Sequence, residues 1–137
     1  MIYILDSSFI GALIIPDEHN SHVNHMYDII QNEDERHVPQ LLWYEISNVF
    51  YNLIRRRRFS LDEVMQFYPM LKAIRLTTDF ETGPIYSNRL LRLCSDYSLS
   101  SYDAAYLELA ERKMGTLCTL DTGLRAAAKK HGVSCIK

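Results

Sequence analysis

Short, wholly apolar runs alternate along this chain with longer stretches in which apolar residues recur every three or four positions. The opening run, Ile2-Tyr3-Ile4-Leu5, is apolar on both faces and predicts a central strand of a parallel sheet over residues 2–6. A loop and a helix over 18–31 should follow, then a short strand at Arg36-His37-Val38. Pro39 stands where a helix over about 40–57 begins, a first-turn position that tolerates its missing N–H. Ser60 and Glu63 have capping-box spacing, which starts the next helix and carries it to about Ile74. Residues 75–79 predict another strand, Pro84 the first turn of a helix to about Asp96, and Ser101 the cap of a helix over 102–113. The pattern ends with a strand over 116–120, a helix over 123–131, Gly132 as a left-handed stop and a strand over 133–136. Strands alternating with helices imply an α/β fold in three layers, with a mostly parallel sheet of about five strands covered on both faces. No repeat, low-complexity tract or linker divides the 137 residues, so a single domain is expected.

Composition narrows the class. At 47% hydrophobic and 23% charged, the chain reads as a soluble globular protein able to bury one core without disulfides. No apolar run reaches the roughly 18 residues that a bilayer crossing requires, and no basic leader precedes the first strand. A cytoplasmic protein without membrane association is therefore expected. A net charge of −2 argues against a surface that embraces nucleic acid on every side, but it leaves room for a local basic patch. Cys94, Cys118 and Cys135 form no Cys-x-x-Cys pair and read as reduced core thiols. His19, His22 and His25 are spaced so that the outer two stand about 120° apart on a helix, which opposes a shared zinc ion.

Against this background, Asp6, Glu45, Asp103 and Asp121 interrupt segments that otherwise read as core. Asp6 ends the first apolar run and Asp121 follows Thr116-Leu117-Cys118-Thr119-Leu120, so both fall at carboxyl ends of strands, where open parallel sheets bind ligands. Asp103 falls in a helical first turn, where amide donors favour a negative group, and shares a face with Leu107, Ala110 and Met114 that should point inward. Glu45 heads a polar stripe with Asn48 and Asn52 on a helix whose Leu42, Ile46, Val49, Phe50 and Leu53 supply core. Singly, each acid could be a cap or a solvated edge; together they suggest a site for a hard divalent cation.

Asp6-Ser7-Ser8, Tyr44-Glu45-Ile46, Leu99-Ser100-Ser101-Tyr102-Asp103-Ala104-Ala105-Tyr106-Leu107 and Thr119-Leu120-Asp121 resemble, in order and spacing, the PIN domain, and in particular the VapC-type ribonuclease toxins of bacterial toxin–antitoxin pairs. The resemblance covers essentially the whole chain, and its third motif is the most specific. It implies that Asp6, Glu45, Asp103 and Asp121 bind Mg²⁺ or Mn²⁺ and that Ser7 or Ser8 holds or orients the site. It further implies a strand order of about 3-2-1-4-5, a homodimer, an RNA substrate and an antitoxin partner. The chemistry suits the residues: carboxylate-held cations activate water, offset phosphate charge and stabilise a leaving oxygen. On this reading Asp6 and Asp103 make the main metal contacts. Glu45 is a ligand or positions water, and Asp121 serves a second ion or acts through water.

Substrate contacts are less defined. Arg55-Arg56-Arg57-Arg58 ends the helix that carries Glu45 and reads either as a solvated or partner-binding face or as an RNA contact. The nine tyrosines lie mostly among apolar neighbours and read as core or interface before base-stacking platforms. A phospho-acceptor switch would need an acidic pair after the first strand, whereas Ser7 and Ser8 follow Asp6. The main alternative is a catalytically silent module that keeps the fold and grips RNA or protein.

Overall fold

A computed structural model describes residues 1–137. Four parallel strands form the sheet: β1 (Ile2–Leu5), β2 (Glu35–Pro39), β3 (Thr77–Asp79) and β4 (Thr116–Cys118), in the order β3-β2-β1-β4. The expected fifth strand is reduced to one parallel bridge, Leu117 to Cys135, flanked by hydrogen bonds from Leu117 N to Ser134 O (2.8 Å) and Ile136 N to Leu117 O (2.9 Å). The fifth position is thus occupied without a continuous ladder.

Between β1 and β2 the chain forms α1 (Ser7–Ile14), a 3-10 turn (Pro16–Glu18) and α2 (Ser21–Asp28), where the sequence pattern predicts one helix over 18–31. Helix α1 escapes periodicity because Phe9, Ile10, Gly11, Ala12 and Ile14 are all buried, so it has no polar face to set a 3.6-residue period. Helix α3 (Leu41–Arg55) follows β2, burying Leu42, Ile46, Phe50 and Leu53. The expected helix to Ile74 is divided at Gln66 into α4 (Leu61–Met65) and α5 (Phe67–Ala73). Pro69 supplies the reason: it has no N–H to donate, and its ring clashes with the carbonyl four residues back, at Met65. The capping box of Ser60 and Glu63 is formed in both directions.

After β3 come α6 (Pro84–Tyr97) and α7 (Ser101–Lys113), and after β4 comes α8 (Thr122–His131), which Gly132 ends at φ 84°. The cap of α7 is Ser100, not Ser101, and Met114 caps its other end in the left-handed region at 93% exposure, so it does not join the inward face. Right-handed crossovers place α1 to α5 on one face and α6, α7 and α8 on the other. The result is the three-layer α/β/α architecture, with its core on both sides of β1, whose Ile4 and Leu5 are fully buried. The sequence order reverses direction beside β1, the crevice where such sheets bind ligands. No helix is long and apolar enough to cross a membrane.

Candidate metal-binding and catalytic cleft

The end of β1 delivers Asp6 directly to the N-cap of α1, where its Oδ1 accepts from Phe9 N at 2.9 Å and from Ser8 Oγ at 2.6 Å. Its Oδ2 accepts from the Thr119 hydroxyl, just beyond β4. Ser8 Oγ also accepts from Leu120 N at 3.1 Å, so one serine ties the ends of two neighbouring strands. Ser7 opens α1 and its hydroxyl takes part in no comparable bond. Asp6 is 5% exposed, and burial is the main reason its carboxyl rises above the ordinary range; the bonds from Ser8, Thr119 and Phe9 oppose the rise and the Asp121 charge adds to it.

Glu45 lies one turn into α3, half-buried, and accepts from the hydroxyl of Tyr106 at 2.5 Å. Burial raises its carboxyl, the Tyr106 bond opposes this, and the charges of Asp6 and Asp103 add to the rise. Tyr106 lies on α7 at 1% exposure, and burial with Glu45 beside it keeps the phenol protonated. Asp103, in the first turn of α7, donates its N–H to the cap Ser100 at 3.2 Å. Its carboxyl is raised by burial first and then by Asp121 and Asp6. Asp121 caps α8, accepting from Leu124 N at 2.7 Å, while its own N–H donates to Thr119 Oγ1 at 3.0 Å.

The four acids predicted from sequence therefore lie at the same end of the sheet, three of them at helix N-termini, near enough for their charges to influence one another. No lysine or arginine is among the groups that shift Asp6, Glu45 or Asp103. Each is tied to a neighbouring donor, and no three of the molecule's His, Cys, Asp or Glu side chains stand at ion-holding distance. An all-oxygen, anionic donor set without its own counter-charge fits a hard divalent ion.

Two members of the site escaped the sequence reading. Thr119 sat within a strand-like run and Tyr106 within an apolar one, so both read as packing residues; their hydroxyls in fact orient Asp6 and Glu45. Of the polar stripe, Asn52 accepts from Arg55 at the far end of the helix, and Asn48 is exposed. Arg55 to Arg58 are exposed at the far end of α3, about 15 Å from Glu45 by helical rise. Arg58 pairs with Asp17 and with Glu18 at 3.4 Å. His19, His22 and His25 are exposed, and the cysteines are free, with only Cys118 fully buried.

The chain matches the family model described as "PIN domain" over residues 3–130. It is 28% identical over 128 residues to a Pyrobaculum aerophilum protein named Ribonuclease VapC3, covering 90% of this chain and 92% of that one. A crystal structure of PAE2754, a Pyrobaculum aerophilum protein, superposes with a TM-score of 0.71 at 21% identity, covering 98% of this chain and 89% of that one. The Rickettsia felis VapBC2 structure, bound to a DNA fragment from its promoter, gives a TM-score of 0.68 at 11% identity over 98% and 97% of the two chains. At these identities the structural likenesses speak for the fold.

Proposed function

Because this chain belongs to the PIN domain family, we propose that its acidic cleft hydrolyses RNA phosphodiester bonds with Mg²⁺ or Mn²⁺, as the toxin of a toxin–antitoxin pair. The observation that supports this reading is the placement of Asp6, Glu45, Asp103 and Asp121 at the switch-point end of the sheet, with no basic group among the charges that shift Asp6, Glu45 or Asp103. The relative named Ribonuclease VapC3 supports the substrate class.

Asp6 and Asp103 are the main metal ligands, with Asp121 serving a second ion or acting through water. The bound cation supplies charge neutralisation at the phosphate and a more acidic water. Glu45, half-buried and raised, takes the proton of the attacking water, a role that a carboxyl shifted toward neutral pH performs well. Tyr106 fixes its orientation. Ser8 and Thr119 hold Asp6 from opposite sides, leaving it little rotational freedom to lose on binding.

An antitoxin would dock on the face of α3, α4 and α5, where Trp43, Tyr51, Leu61, Met65, Tyr68 and Met70 are exposed. Homodimerisation would use the exposed Phe80, Ile85 and Leu91 of the β3–α6 region. Arg55 to Arg57 stand beside the antitoxin face as partner contacts.

The purified protein should cleave a mixed RNA pool on addition of Mg²⁺ or Mn²⁺, and Asp6→Asn or Asp103→Asn should abolish it. Cleavage that survives either substitution would refute the metal-nuclease assignment. Binding of RNA without cleavage at any divalent concentration would instead establish the silent module.

A further inference from the structure

An RNA chain brings a phosphate at every nucleotide into a cleft built from carboxylates, so cations must hold the strand beyond the scissile bond. The arginine run at the end of α3 is remote from the acids, and two of its members are engaged by Asn52, Asp17 and Glu18. A second set of cations starts at the cleft itself.

Helix α8 leaves the cleft from its cap Asp121 and carries Arg125 and Lys129, one and two turns on, along one face. The chain then turns at Gly132 and runs back as residues 133–137 beside β4. Leu117 pairs in parallel with Cys135, so the chain beyond that bridge, ending in Lys137, runs toward the sheet end where Thr119 holds Asp6. Between these two segments lies a groove of about 420 Å³, lined by Arg125, Lys129, Lys137, Val133, Ser134 and Cys135, with no acidic residue in its wall. None of its three cations takes part in an ion pair. Arg125 spends Nη1 on Ile136 O (2.9 Å) and Nη2 on Thr119 O (3.0 Å), fastening the groove to the strand end that orients Asp6.

Three positive groups from two segments repel one another, and favourable helix-end electrostatics explains Lys129 alone. Lys137 lies off the helix, so the groove carries exposed positive charge on both of its walls, which suits an anionic ligand. From the Asp121 cap to Lys129 the helix rises about 12 Å, a span that takes a strand from the cleft past more than one phosphate.

We infer that the groove between α8 and residues 133–137 binds the phosphate backbone of single-stranded RNA whose neighbouring phosphodiester enters the acidic cleft. This rests on the nuclease reading for the role of the cleft, but the groove has its own readout. Lys129→Glu with Lys137→Glu changes two exposed side chains, and Lys129→Gln with Lys137→Gln removes charge without reversing it. Fluorescence anisotropy of a labelled 20-nucleotide single-stranded RNA, with metal-free protein across a salt series, measures binding apart from cutting.

The Gln pair should weaken binding roughly tenfold and make the salt slope less negative by about 1.4, about 0.7 for each phosphate no longer neutralised. The Glu pair should weaken it further, with a small loss of thermal stability from the reversed charge in the last turn of α8, while the Gln pair leaves unfolding nearly unchanged. In cleavage, KM for the long RNA should rise at constant kcat, while a dinucleotide reaching only the cleft should be cut as before. Unchanged affinity and salt slope in both double variants would overturn the groove while leaving cleavage by the wild-type protein intact. Loss of the slope in a protein that cuts nothing would uphold the groove and remove the nuclease reading. Equal losses for RNA and for an acidic peptide of matched charge would overturn backbone recognition in favour of protein docking.

Discussion

At the scale of single residues, the hydroxyls matter as much as the acids. Tyr106→Phe removes one hydrogen bond to Glu45 with little change of shape and should cost about 1 kcal/mol of stability in urea denaturation. Because that bond opposes the rise of the Glu45 carboxyl, its loss should move the acidic limb of the pH–rate profile for RNA cleavage to higher pH. Asp121 offers a cleaner separation of roles. Asparagine caps a helix as well as aspartate does, so Asp121→Asn should leave the unfolding midpoint nearly unchanged, while Asp121→Ala should cost about 1 kcal/mol through the lost bond to Leu124 N. Divalent-ion affinity, read by calorimetry, should fall in both. The four carboxylates were legible because each broke an apolar pattern. Thr119 and Tyr106 were not, because a hydroxyl within an apolar run carries the signature of ordinary packing, and only the approach of α7 to α3, and of β4 to β1, gives it a partner.

Among the elements, α7 bears the most, packing on β1 and β2 while contributing to the cleft at one end and an ion network at the other. Glu108 is 2% exposed and bonds to Arg112 at 2.7 Å and to Arg89 at 3.2 Å; Arg112 also grips Asp79 through both guanidinium nitrogens at 3.0 and 2.6 Å. Arg112→Met should therefore destabilise by about 3 kcal/mol in urea denaturation, since it strips a buried carboxylate of its closest partner. Arg112 holds the Asp79 carboxyl below the ordinary range, so that pair adds stability at neutral pH that is lost as pH falls through the lowered value. Glu108 and Arg112 stand four residues apart, a spacing that on an exposed helix makes only a weak pair; the burial of Glu108 is what changes their weight. Where α7 turns into β4, a Cβ on Gly115 would meet Ile4 Cδ1 at 2.9 Å and Ile2 O at 3.0 Å, so Gly115→Ala should cost roughly 1–3 kcal/mol. Element identities followed from periodicity where one face was polar, as in α3, and failed at helix α1, where five of eight residues are buried and the others mark no polar face.

For the molecule as a whole, three carboxyls raised together make the folded state hold protons that the unfolded chain has released. Without metal, stability should decline as pH rises from the ordinary carboxylate range through those raised values, and the penalty should be complete above them. Mg²⁺ or Mn²⁺ should reverse the trend, lifting the thermal midpoint more at pH about 7.5 than at pH about 5, because ligands must be deprotonated to bind. At a concentration of about 100 Kd the gain would be about 2.7 kcal/mol. Differential scanning calorimetry over the two pH values checks both signs, and an unchanged midpoint with metal at the higher pH would contradict them. The sheet itself sets a further condition on assembly. One rim is a three-residue strand and the other a single bridge, so neither offers enough free backbone to template a strand from another chain. Strand addition at either rim is therefore disfavoured, so a protein that bound here would be read by side chains, where one substitution can reprogram a contact, and the rims leave little foothold for the runaway stacking that leads to fibrils.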